Sequence, residues 1–266
     1  MTEADWEACE DPLVMVRFIT SRRPLTEPPP PLWATMYRRM TDLRRRPLDR
    51  KLRLFACACC RRIWPLLGPA AQALVETSER YADGQARPGE LVRAIQLTFH
   101  EERAAQGLLQ QAVSSRRAAR RQRGQARARA LAANVARASA HEDGDSAAEM
   151  VQQPAAIACA LWGRNIGRLR RVADERRFQA ALLRDVLGPL PFRQILLDPS
   201  WLTRNNEAVR TLAEAVYPSP RPGDLTELAN ALENAGCADP LILAHCRGPG
   251  PHVRGCYVTD LILNKQ

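Results

Sequence analysis

Asp49-Arg50-Lys51-Leu52-Arg53-Leu54-Phe55-Ala56-Cys57-Ala58-Cys59-Cys60-Arg61-Arg62-Ile63-Trp64-Pro65-Leu66-Leu67 is the stretch from which the fold can be read. Within it Leu52, Phe55, Ala56, Cys59, Cys60, Ile63 and Leu67 recur at spacings of three and four, which lays one apolar stripe along a helix. A helix with such a stripe must bury it against others, so 49–67 is the core candidate, and Gly68-Pro69 ends it.

The same pattern extends outward in both directions. Downstream, Leu74, Val75 and Tyr81 mark a second helix that closes at Ala82-Asp83-Gly84, where the glycine suits a C-terminal cap. Pro88-Gly89-Glu90 opens a third, with Leu91, Ile95, Leu97 and Phe99. Upstream, Thr2-Glu3-Ala4-Asp5-Trp6 reads as a capped helix start and Asp11-Pro12 as a second start, running through Phe18. Between them lies 21–47, where Pro28-Pro29-Pro30-Pro31 removes backbone donors and fixes an extended path; it is expected to be a proline-rich insertion or mobile arm.

From Glu101 to about Ala140 the chain is rich in Ala, Arg and Gln and poor in large apolar residues, so it can be helical but is expected to bury little surface. The segment 112–150 is accordingly a low-complexity Ala/Arg-rich helical stretch. His141-Glu142-Asp143-Gly144-Asp145 marks a turn, and a helical pattern resumes through Met150, Ile157, Leu161 and Leu169 to Leu183, making a long, thinly packed hairpin. After Gly188-Pro189-Leu190-Pro191 comes a brief extended run, 192–197, and then short helices over 205–217, 223–235 and 239–246, with a last one after Pro249-Gly250-Pro251. No β alternation is sustained, so the expected fold is an all-α multi-helix bundle, 1–266 forming a single domain in which helix 49–67 packs with the C-terminal helices.

At 266 residues and 45% hydrophobic the chain is long enough for a sizeable core. It opens on acidic residues rather than a basic-then-apolar leader and holds no apolar run of membrane-spanning length, so a cytoplasmic protein without a membrane partner is expected. Its eight cysteines, two of them adjacent at 59 and 60, are then read as reduced. The net charge of +10 comes almost wholly from arginine, Lys51 and Lys265 being the only lysines, and it concentrates in Arg38–Arg62 and Glu101–Ala140. On a helix, Arg116, Arg120, Arg123 and Arg127 would share one basic face able to meet phosphates. No aromatic interleaving or recognition module accompanies them, and a solvated helix face is the plainer reading.

The densest gathering of soft ligands is C-terminal. Cys237, Cys246, His252 and Cys256, with His245 as a further candidate, could hold a tetrahedral zinc; His252 and Cys256 are spaced to share a helix face, but these C-terminal ligands include no tight Cys-x₂-Cys knuckle. Burial as small hydrophobes is the competing reading for these cysteines, and for Cys57, Cys59 and Cys60 it is the expected one. Gly-x-Ser-x-Gly, Gly-x₄-Gly-Lys and His-Glu-x-x-His are all missing.

Four segments, Arg50–Trp64, Glu79-Arg80-Tyr81-Ala82-Asp83-Gly84, Leu197-Asp198-Pro199-Ser200-Trp201-Leu202-Thr203 and Ala244–Cys256, resemble a family of uncharacterised bacterial proteins typical of planctomycetes. The resemblance extends to Met1–Cys9 and Gln179–Leu187; the proline-rich and arginine-rich segments depart from it. It implies a shared all-α fold and brings no activity, cofactor or functional residue with it. The expectation from the sequence is therefore a non-enzymatic helical interaction or scaffold protein, needing no cofactor and binding an unidentified protein partner. Two alternatives stand beside it: a nucleic-acid-associated protein using the four arginines, and a module stapled by zinc at its C-terminus.

Overall fold

The computed structural model describes residues 1–21, 46–114, 120–141, 144–162, 168–221 and 223–265. They form helices joined by turns and loops, with no strand among the described residues. Most of the expected proline-rich arm, 22–45, lies outside them. Where the composition predicts one domain, the packing divides the chain into two compact units: Met1 with Asp5–Ala180, and Thr2–Ala4 with Ala181–Gln266.

In the first unit, α1 (Glu3–Ala8) and α2 (Pro12–Ser21) precede α3 (Arg46–Arg62), which packs on α4 (Pro69–Ala82), α6 (Arg120–Ser139) and α7 (Gly144–Trp162). Burial of α3 goes beyond a single stripe. All residues from Lys51 to Cys60 are buried, because neighbours cover every side of the helix, and Arg53 is held in the interior by the Ser139 carbonyl and the Tyr81 ring. Each fully buried Leu or Phe here contributes about 1.5–3 kcal/mol.

The long α5 (Pro88–Ser114) packs on α4 and α6, and α6 with α7 forms the expected hairpin. Its packing is thin only in side-chain size. Ala128, Ala132, Val135 and Ala136 of α6 and Ala147, Ala148, Val151 and Ala155 of α7 are all completely hidden, since small side chains at three- and four-residue spacing let two helix backbones approach closely. Gly144 is part of this economy: a Cβ there would stand 2.8 Å from the Asp49 Cα and closer still to its carbonyl oxygen.

The second unit begins within α8 (Arg168–Leu187) and continues through α9 (Ser200–Thr203), α10 (Ala208–Val216), α11 (Asp224–Asn234), α12 (Pro240–Arg247) and α13 (Tyr257–Ile262). Val209, Leu225, Leu228, Leu232, Ile242 and Val258 fill its core, with Ile195, Leu197 and Trp201 packed on the rim. Asp239 caps α12, its side chain accepting from the Leu241 and Ile242 amides, and Pro240 follows at the first helical position. At the other end of the unit α8 stops at Gly188, whose φ of +63° and whose missing Cβ, which would stand 2.5 Å from the Tyr257 ring, both require glycine. That close approach brings the last turn of α8 to the start of α13.

Candidate metal centre

Three pieces of the second unit meet where α8 ends. Asp185 comes from the last turn of α8, His245 from α12, and His252 and Cys256 from the glycine- and proline-rich loop that joins α12 to α13. Their ligand atoms all lie within 4.8 Å of one another. His252 Nδ1 is 2.9 Å and His245 Nε2 is 3.1 Å from the same Asp185 oxygen, Oδ1, and His245 Nε2 is also 3.2 Å from Cys256 Sγ. A zinc ion with bonds of about 2.0–2.3 Å sets tetrahedral donors about 3.3–3.7 Å apart, and the three closest separations here, 2.9, 3.1 and 3.2 Å, lie within a few tenths of an ångström of that range.

The outer contacts orient each donor. The Val253 amide donates to the other carboxylate oxygen, Oδ2, at 2.9 Å, which leaves Oδ1 facing the cluster. His252 Nε2 is 3.4 Å from the Gly248 carbonyl, the backbone contact that commonly fixes the ring of a ligating histidine. The His245 ring lies between those of His252 and Tyr257, at 4.9 and 4.5 Å between centroids, and the Tyr257 hydroxyl donates to the Leu241 carbonyl. Burial pushes the Asp185 carboxyl upward, but the hydrogen bonds from His245 and His252 outweigh it and hold the group below the ordinary aspartate range. Burial likewise pushes the Cys256 thiol well above its usual value, while the Val258 and Thr259 amides at the sulfur act in the opposite sense.

A thiol, an imidazole and a carboxylate in contact invite comparison with a nucleophilic triad, and the geometry does not fit one. In a triad the base meets the nucleophile with one ring nitrogen and the carboxylate with the other. Here His245 presents the same nitrogen to both, and the sulfur is completely hidden. Convergence of donors on one point is the arrangement of a coordination sphere.

Of the four ligands expected from the sequence, the structure brings together His252 and Cys256, adds the further candidate His245, and supplies Asp185 from 67 residues before His252. Cys237 and Cys246 are instead packed among Leu232, Ile242 and Val258 in the core, and burial pushes the Cys246 thiol up to about 12. Proximity in sequence to two histidines did not bring them to the site, because Cys246 follows His245 on α12 and points to the opposite, apolar side. The one signal for Asp185 was an acidic residue at the apolar end of α8, three residues after Leu182 and directly before Val186 and Leu187.

Three arginines of the first basic stretch are paired with carboxylates. Arg61 makes a fork with Glu79, at 2.9 and 2.7 Å, and stacks on Trp64; Arg62 does the same with Glu175 and Phe178; and Arg50 meets Asp83 at 2.9 Å. Of the proposed phosphate-binding face, Arg116 lies outside the described residues, Arg120 opens α6, Arg123 is half-buried and Arg127 is exposed. A groove of about 350 Å³ between α5 and α6 is lined by Leu108, Gln111, Gln122, Gln125 and Arg129, and offers one cation and no nucleophile. Among the described residues no helix is long and apolar enough to cross a membrane.

No family model, curated protein or solved structure matches the chain.

Proposed function

We propose that this is a non-enzymatic helical interaction protein whose C-terminal unit binds a transition-metal ion. The convergence of Asp185, His245, His252 and Cys256 within 4.8 Å carries the reading, since a carboxylate, two imidazoles and a thiol otherwise have little reason to meet in the interior of a small helical unit. The role is metal binding in support of a protein surface, with the Arg–Glu forks and apolar seams of the first unit serving stability.

Metal content of protein purified without added metal, read by plasma mass spectrometry, tests it. Near-stoichiometric metal is expected in the native chain and in Cys237→Ser and Cys246→Ser variants. Asp185→Ala and His252→Ala should lose it, retaining less than about a tenth of the native content, because even an outer-sphere partner is worth about 10–100-fold in affinity. Native protein that neither carries nor takes up a metal ion would remove the reading.

A further inference from the structure

We infer that the centre is a closed, four-coordinate zinc site with a structural role, in which the ion clips the end of α8 to the loop between α12 and α13. This rests on the metal-binding reading above and goes further by fixing the ion, the coordination and the task.

The donor set selects the ion. One sulfur and two imidazole nitrogens disfavour magnesium and calcium, which take oxygen, while the single carboxylate keeps the set harder than the all-sulfur sites of cuprous ions. Charge points the same way: a dication met by one carboxylate and one thiolate is neutral overall, as a buried position requires. Binding breaks the Cys256 S–H bond and forms the zinc–sulfur bond; the proton passes to solvent, and no oxidant or reductant enters. The imidazoles bind as neutral ligands through His245 Nε2 and His252 Nδ1, the nitrogens already facing the cluster.

Closure follows from the surroundings. Asp185 is 2% exposed, His252 12% and His245 20% at their side chains, and Cys256 is completely hidden. Asp185 Oδ2 is occupied by the Val253 amide, so the carboxylate binds through one oxygen. With all four positions filled by protein, none remains for water or substrate, which separates a structural from a catalytic zinc. What the ion joins is distant in sequence. Asp185 lies 67 residues from His252, and the chain between them makes most of the unit's apolar core, so one ion closes a loop around that core as a disulfide would.

Cobalt substitution of the full-length chain distinguishes the outcomes. The expected result is one Co²⁺ per chain displaced by Zn²⁺, with the intense visible bands of tetrahedral cobalt and a thiolate-to-metal charge-transfer band. Azide should leave the spectrum unchanged. Cys256→Ser should abolish the charge-transfer band and Cys246→Ser should leave it. Because Cys256→Ser could fail to fold, the wild-type spectrum and azide titration stand as independent readouts, and Asp185→Asn should lower zinc affinity at least about 10-fold. Weak five- or six-coordinate bands, or a shift on adding azide, would show an open position and overturn the closed structural site while leaving metal binding intact. Absence of both cobalt and zinc at stoichiometry would overturn both.

Discussion

Cys57 is hidden on every side of α3, and its Sγ approaches the Val75 carbonyl at 3.9 Å. Burial pushes its thiol up from 9.0 to about 12. A group whose folded value is raised supports the fold fully below its unfolded value and loses that support as pH climbs toward the folded one. Stability should therefore hold below pH 9.0 and fall between there and about 12, because only the unfolded chain ionises in that window. Melting curves across this range should show a shallower fall for Cys57→Ala than for the native chain; equal slopes would mean that the thiol is not sequestered. The burial of Cys59 and Cys60 was legible from their place in an apolar stripe, whereas Cys57 lies off that stripe and is hidden because neighbours cover every side of α3. Asp185 was not legible, since a carboxylate at the apolar end of a helix has meaning only once the fold supplies the histidines that neutralise it.

Helix ends carry their own tests. Glu101 of α5 reaches across to the first turn of α4, where its two oxygens accept from the Ala70 and Ala71 amides at 2.9 and 3.0 Å. Glu101→Ala should cost about 1–2 kcal/mol in denaturant unfolding, the value of a charged cap at a helix N-terminus. Gly68→Ala should cost a similar amount by the same route, because its Cβ would lie 2.6 Å from Glu101 Oε2 and displace the carboxylate. The two effects then fail to add, and a fully additive double mutant would contradict the shared cause. Gly144→Ala is a harsher case: the added carbon meets Asp49 backbone, which cannot swing away as a side chain can, and a loss of about 2–4 kcal/mol is expected. Most helices of the second unit were readable to within a few residues from proline, glycine and Asp caps. Of the long pattern expected from Met150 to Leu183, α7 and α8 are helical as expected, and 163–167 lie outside the described residues.

For the whole molecule, the division into two units predicts that a metal bound at the proposed centre acts locally. Hydrogen exchange with and without a chelator should show faster exchange in 185–188 and 245–262 when metal is withdrawn, with the amides of α3, α4, α6 and α7 unchanged. A uniform rise across both units would argue that the ion supports the entire chain. The net charge of +10 was a poor guide at this scale, because Arg50, Arg61 and Arg62 pair with Asp83, Glu79 and Glu175, partners that stand 18 to 113 residues away in sequence. Charge counts along a chain cannot register pairing of that range.

The alanine seam between α6 and α7 would leave an inverted imprint in a deep mutational scan. Ordinary cores are recognised by their bulk, and their large residues tolerate smaller or similar ones at moderate cost. Along Ala128, Ala132, Ala136, Ala148 and Ala155 there is nothing to truncate, and nearly every replacement adds volume to a space that is already filled. The α6 side of the seam, which hydropathy marks as least core-like, would thus rank among the least substitutable stretches in the protein, and glycine, costing mainly helix propensity, would be the mildest exchange at each position.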